Sequence, residues 1–123
     1  MFFYNDKINN YFLNPKYYGS LDSSDNSVLI IKDGSKKFGK YIILQIKLDD
    51  TRSYIEKIAY RAYACGATIA SLEWLAKKII NQKTNILDAI KIEDIINDLE
   101  LPKNKIHCAL TIEDLAKKLK EKL

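Results

Sequence analysis

The chain has 123 residues, with 20 basic and 16 acidic side chains, so it carries a net charge of +4 and has a pI of about 8.9. This length fits one domain, residues 1–123, that can bury a core without disulfide or metal cross-links. The basic residues are interspersed with acids, which disfavours nucleic-acid binding. No apolar run approaches the ~18 residues of a membrane span, and the N-terminus lacks the apolar region of a signal peptide. We therefore expect a cytoplasmic protein that binds neither nucleic acid nor membrane.

The N-terminal part of the chain predicts a short segment followed by a loop. The segment ends at Asn14-Pro15, because a residue before proline is disfavoured in the helical region. Gly19 and the polar residues 20–26 then predict the loop.

Three β-strands are predicted in the first half of the chain, at Ser27–Lys32, Tyr41–Leu48 and Tyr54–Tyr63. The second alternates apolar and polar side chains clearly, and the third does so less regularly. Short polar loops, Asp33–Gly39 and Asp49–Arg52, join them. Such short connections favour an antiparallel meander.

The hydrophobic period changes after Cys65, where a helix is predicted. Ile69, Leu72, Ala76 and Ile79 recur at the spacing of one helical face.

The C-terminal third predicts further helices. Residues 85–90 and 92–99 form one broken or two short helices that end before Pro102. Thr111 is predicted to cap a final helix, since acidic residues follow it in what would be the first turn. Because strands precede helices along the chain, the predicted fold class is α+β, with a three-stranded antiparallel sheet packed against a C-terminal set of helices and with a short N-terminal helix.

Three side chains are candidates for chemistry: Cys65, His107 and Cys108, which include both cysteines and the only histidine. Cys65 is predicted at the start of a helix, where the free N–H groups of residues 66–68 would stabilise a thiolate. Two thiolates and an imidazole are suitable ligands for Zn²⁺ or iron. Spacing alone leaves the alternative open that the cysteines are buried apolar residues and the histidine a structural one.

Taken together, the motifs of the chain resemble the scaffold proteins of iron–sulfur cluster assembly, the IscU type and the N-terminal domain of NifU. The matching segments run in the same order over nearly the whole chain: Tyr4–Ile8, Asn14–Gly19, Leu44–Lys47, Tyr63–Ser71, Leu99–Pro102 and Lys105–Ala109. The first two resemble the family's amphipathic N-terminal helix and its NPxxxG turn.

The resemblance implies a scaffold and not an enzyme. Such a scaffold receives sulfur from a cysteine desulfurase, binds iron or zinc, assembles a [2Fe–2S] cluster and delivers it to apo iron–sulfur proteins. It also implies that Cys65, His107 and Cys108 are metal ligands and that Cys108 is the persulfide acceptor. Whether the chain forms a homodimer is left open.

Two positions of the family's site differ here. Phe38 stands where the family has its first cysteine, and Lys40 where it has an aspartate. A phenyl ring cannot ligate a metal, and a protonated lysine has no free lone pair. Lys40 is predicted to lower the pKa of both cysteine thiols, or, alternatively, to face solvent in a loop beside Lys36 and Lys37.

The family's chaperone-recognition segment, LPPVK, is matched here only in part. Leu101, Pro102 and Lys105 match and are candidate partner-binding residues, whereas the two positions between them differ. Chaperone binding is therefore left open.

Three hypotheses follow from this altered site. The first is a scaffold-like protein that binds Zn or Fe through Cys65, His107 and Cys108, with a cluster completed by a ligand from a partner, because a [2Fe–2S] cluster takes four protein ligands. The second is a non-catalytic paralogue that docks to the assembly machinery without holding a cluster. The third is a thiol-redox or sulfur-carrier protein that uses the two cysteines as a pair.

Overall fold

The computed structural model describes residues 4–35, 37 and 39–123 and contains an antiparallel sheet in the order β1-β2-β3. Helices and 3-10 turns of the described residues pack with this sheet, which confirms the predicted α+β class. The elements are α1 (Asp6–Phe12), β1 (Val28–Ser35), β2 (Lys40–Leu48), β3 (Ile55–Tyr63), α2 (Gly66–Ile79), a 3-10 turn (Thr84–Ala89), α3 (Ile92–Leu99), a second 3-10 turn (Lys103–Lys105) and α4 (Ile106–Glu121). Within the described part of the chain, no helix is both long and apolar enough to span a membrane.

The β1–β2 hairpin is longer than predicted. Pairing continues to Ser35, opposite Lys40, so Asp33 and Gly34 lie in the strand and not in the predicted loop. Gly34 has a φ of 79°, and a Cβ on it would collide with the carbonyl of Lys40. A glycine is therefore required for the strands to pair this far.

The predicted alternation of β2 is confirmed, because one of its faces forms the core of the sheet. The buried apolar residues of this face are Ile42, Leu44, Ile46 and Leu48. On the opposite face Gln45 is also buried, and its amide bonds the backbone N–H and carbonyl of Leu21 at 2.9 and 3.1 Å. The polar loop before β1 is thereby fixed to the sheet.

The N-terminal segment is anchored to α2 and to the edge of β3. The buried carboxylate of Glu73 accepts hydrogen bonds from the backbone N–H groups of Lys16 and Tyr17, at 2.8 and 3.0 Å. Gly19 donates to the carbonyl of Tyr60 at 2.8 Å. These contacts position α1 over the beginning of α2.

The predicted start of the last helix is wrong. α4 begins at Ile106, directly after the turn that follows Pro102, so Thr111 lies inside the helix. The Thr111 hydroxyl donates to the backbone carbonyl of His107 at 3.0 Å and does not cap a helix. This earlier start places His107 and Cys108 in the first turn of α4.

Candidate sulfur and metal site

Cys65 is the N-cap residue of α2 and links β3 to this helix. Its backbone is extended, with φ −72° and ψ 164°, and its carbonyl accepts the N–H groups of Thr68 and Ile69 at 3.1 Å each. The residue is half-buried. As predicted from the sequence, its sulfur therefore lies at the N-terminus of a helix.

Cys108 lies in the first turn of α4 and is fully buried. The hydroxyl of Thr68 joins the two cysteines: it donates to the Cys108 sulfur at 3.2 Å and lies 3.5 Å from the Cys65 sulfur. Thr68 itself is 1% exposed. Two thiols far apart in sequence therefore form one hydrogen-bonded group with a threonine.

His107 is exposed at the edge of this group. Its Nε2 atom lies 3.7 Å from the Cys108 sulfur. The structure thus brings together all three side chains that the sequence singled out, at the starts of α2 and α4.

The two thiols have opposite pKa shifts because they share a hydrogen bond. The pKa of Cys65 is lowered to about 4, mainly by the hydrogen bond from the Cys108 thiol. Hydrogen bonds with the side chain and backbone of Thr68 and the charge of Lys105 act in the same direction, whereas burial opposes them. The same hydrogen bond to Cys65, together with burial, raises the pKa of Cys108. Cys65 is therefore the thiolate and Cys108 the thiol of the pair.

The prediction that Lys40 lowers the pKa of both thiols stays a prediction, because the main causes of the two shifts are the other cysteine, burial, Thr68 and Lys105. Lys40 begins β2, is half-buried, and donates from Nζ to the Thr111 hydroxyl at 2.5 Å. Lys40 therefore does not lie in a solvent-facing loop. Its ammonium group forms a hydrogen bond that links the sheet to α4. The other altered position, Phe38, lies outside the described residues.

The predicted partner-binding segment leads into α4, directly before the site. Leu101 is 7% exposed and belongs to the core, so its side chain cannot be reached by a partner without rearrangement. Pro102 is exposed and Lys105 is half-buried. Partner binding by these two residues stays a prediction.

The donors present do not form a complete metal site. Among residues 4–35, 37 and 39–123, no three His, Cys, Asp or Glu side chains are grouped so that they could hold a metal ion. A closed zinc site or a [2Fe–2S] cluster takes four protein ligands, and Lys40 adds a cation where the resemblance implied an anion. The chain by itself therefore fits neither a closed zinc site nor a cluster.

The sequence analysis did not identify two residues that interact with the thiol pair. The hydroxyl of Thr68 lies three residues after Cys65, a spacing that places both on one side of a helical turn, and this signal was available. The charge of Lys105 acts to lower the pKa of both thiols, although Cys65 and burial outweigh it at Cys108, and only the turn before α4 brings Lys105 close.

The fold and the site define a class: small α+β proteins in which a thiol pair lies where two helices begin beside a three-stranded sheet. The chain belongs to the NifU-like N-terminal domain family, whose model matches residues 3–121.

Relatives that are at least 30% identical to the chain include proteins of iron–sulfur cluster assembly. The chain is 35% identical over 114 residues to the iron–sulfur cluster assembly scaffold protein IscU of Haemophilus influenzae, covering 93% of this chain and 90% of that protein. It is also 35% identical to IscU of Escherichia coli K12, covering 88% of that protein. The mitochondrial iron sulfur cluster assembly protein 1 of Eremothecium gossypii is 30% identical, with 93% of this chain and 74% of that protein covered.

Solved structures share the fold. The N-terminal part of a NifU-like protein from Brucella abortus has a TM-score of 0.60 at 18% identity, with coverage of 94% of this chain and 79% of that one. The SUF-system protein FiSufU from Fervidobacterium islandicum has a TM-score of 0.60 at 16% identity, with coverage of 93% and 82%.

Proposed function

We propose that this protein is an iron–sulfur cluster assembly scaffold that accepts sulfur at its thiol pair and holds iron or zinc only with a ligand supplied from outside the chain. Family membership supports the scaffold role. The observation that carries the sulfur chemistry is the hydrogen-bonded group of Cys65, Thr68 and Cys108.

Sulfur acceptance takes place at Cys108. The Cys108 thiol releases its proton to solvent, and the Cys108 sulfur attacks the terminal sulfur of a persulfide on a cysteine desulfurase. A new S–S bond forms on Cys108, the S–S bond of the donor breaks, and the donor cysteine leaves as a thiolate. No external oxidant or reductant is required.

Metal and cluster are cargo of this site. Cys65, His107 and Cys108 supply three donors to Zn²⁺ or iron, and a partner or a water supplies the fourth. A [2Fe–2S] cluster, built for delivery to apo iron–sulfur proteins, depends on that partner because Lys40 provides no ligand.

Sulfur acceptance is tested with a cysteine desulfurase and cysteine as the sulfur source. Mass spectrometry of the intact protein should show the mass of one added sulfur atom, located on Cys108 by peptide mapping. Cys108→Ser should abolish this addition, and Cys65→Ala should not, because the accepting sulfur is still present. His107→Ala is the control that leaves both thiols in place. Absence of persulfide on the parent protein contradicts the proposal.

Metal binding is tested on protein purified without chelator. About one equivalent of zinc or iron is expected in the presence of the desulfurase, and less than roughly a tenth of an equivalent contradicts this part of the proposal. A Lys40→Asp variant should bind metal more tightly than the parent, since it restores an anionic donor and removes a cation. Lys122→Asp makes the same charge change at the C-terminal end of α4, away from the thiols, and is the control.

The alternative is the non-catalytic paralogue that docks to the assembly machinery without holding a cluster. The observation that favours it is Lys40, which is hydrogen-bonded to α4 beside the site. Co-purification with the desulfurase without any persulfide on Cys108 would support this alternative, and a coloured reconstituted cluster would exclude it.

A further inference from the structure

Thr68 has a buried hydroxyl that contacts two sulfur atoms in the described part of the chain. It belongs to the first turn of α2, is 1% exposed, donates to the Cys108 sulfur at 3.2 Å and lies 3.5 Å from the Cys65 sulfur. Buried hydroxyls are nearly always hydrogen-bonded, so loss of the Cys108 contact leaves the longer contact with Cys65 to satisfy this group.

The contact with Thr68 holds the Cys108 sulfur inward. Cys108 is fully buried, whereas His107 is exposed and Cys65 is half-buried. A metal ion bound by all three must lie about 2.0–2.3 Å from each donor atom. Because the buried Cys108 sulfur is held in contact with the buried Thr68 hydroxyl, the Cys108 side chain has to turn outward, away from Thr68, to reach an ion that the exposed His107 also binds.

We propose that the Thr68 hydroxyl is a specificity-determining group that holds the two cysteines as a thiol pair and thereby weakens metal binding at Cys65, His107 and Cys108. Thr68 touches no substrate in this role; it acts through the position of the Cys108 sulfur. The inference rests on the proposed function, because it concerns the same site, and it adds that this site favours sulfur over a metal ion.

The test is the zinc affinity of Thr68→Val, which replaces the hydroxyl by a methyl group of similar size. Zinc should bind about tenfold more tightly than to the parent, which is the effect of removing one hydrogen bond that binding has to break. Affinity is measured by competition with a chromophoric chelator. Co²⁺ is the second probe, because its thiolate-to-metal absorption band shows whether both cysteines are ligands.

Three further variants separate this role from general effects on structure. Thr68→Ser keeps the hydroxyl and should bind zinc as the parent does. Ser71→Ala removes another buried hydroxyl of α2, one that donates to the carbonyl of Ala67 at 2.8 Å, and should leave zinc affinity unchanged. Cys108→Ser in the Thr68→Val background should remove the gain.

Folding is checked by circular dichroism, and Thr68→Ala serves as a second hydroxyl-free variant if Thr68→Val is destabilised. Equal or weaker zinc binding in the folded hydroxyl-free variants, including no binding in any of them, contradicts the inference. Persulfide formation on Cys108 is measured separately. The inference can therefore fail while the proposed sulfur acceptance stands. Conversely, sulfur acceptance can fail while the expected change in zinc affinity is observed.

Discussion

At the scale of single residues, several polar side chains of the core have a defined partner. Glu73 is 2% exposed and accepts two backbone N–H groups, Gln45 bonds Leu21 twice, and Thr68 contacts both sulfurs. Charged or polar side chains are tolerated in a core when they are bonded in this way. The candidate site therefore uses the same kind of contact that fixes the rest of the chain.

The pKa shifts of the two cysteines predict unequal reactivity toward iodoacetamide. The pKa of Cys65 is lowered to about 4, so Cys65 is a thiolate throughout pH 6–8 and its alkylation rate should be nearly constant there. An ordinary thiol, with a pKa near 8.5, reacts about tenfold faster for each added pH unit in this range. Cys108, with a raised pKa and no exposed surface, should react more slowly than Cys65 at every pH.

The measurement is mass spectrometry of peptides after timed alkylation. Protein unfolded in denaturant is the control, in which both cysteines should follow the ordinary pH dependence. A Cys65 rate that rises about tenfold per pH unit in the folded protein would show that no thiolate is stabilised there.

At the scale of elements, the site depends on how closely α1 packs against the beginning of α2. Gly66 is buried, and a Cβ on it would lie 2.8 Å from the ring of Tyr4 and 3.2 Å from that of Phe12. These two rings pack edge to face with centroids 5.9 Å apart. A glycine after Cys65 therefore lets α1 cover the helix start that carries the thiolate.

Gly66→Ala should destabilise the protein by about 1–3 kcal/mol, because the added methyl group pushes the aromatic rings away from α2. The free energy of unfolding from urea titration measures this effect. The double variant Gly66→Ala, Phe12→Leu should lose less than the sum of the two single changes, since the smaller side chain makes room. Strict additivity of the two changes would contradict close packing at this position.

At the scale of the whole molecule, every helix and strand contributes to one hydrophobic cluster. Ile8 comes from α1, Ile46 from β2, Leu75 from α2, Ile95 from α3 and Ile112 from α4, and each is fully buried. A shared core of this kind is expected to unfold as one unit. The prediction of a single domain over residues 1–123 can therefore be tested by unfolding the protein.

Urea unfolding should be two-state, with the same midpoint by two probes. Trp74 is the only tryptophan and its indole donates to Asp98 at 2.8 Å, so its fluorescence reports the contact between α2 and α3. Far-ultraviolet circular dichroism reports all helices and the sheet. Two separated transitions would show that the N-terminal or C-terminal part unfolds independently.

The sequence by itself determined the order of the strands and helices and the buried faces of β2 and α2. The alternation in β2 and the helical stripe of α2 are local patterns, and they placed Cys65 at a helix start correctly. The start of α4 was missed because acidic residues such as those after Thr111 are typical of a first helical turn. The helix begins earlier, at Ile106, directly after Pro102 and the 3-10 turn that follows it.

Only the tertiary structure decided which side chains meet at the site. The contact between Thr68 and Cys108 joins residues 40 apart, and that between Lys40 and Thr111 joins residues 71 apart. Hydrophobic periodicity specifies the buried face of each element, but it does not specify which positions of two packed elements become neighbours. The physical reason is that this choice depends on the close packing of the whole core, which places Leu101 inside and the two sulfurs beside one hydroxyl.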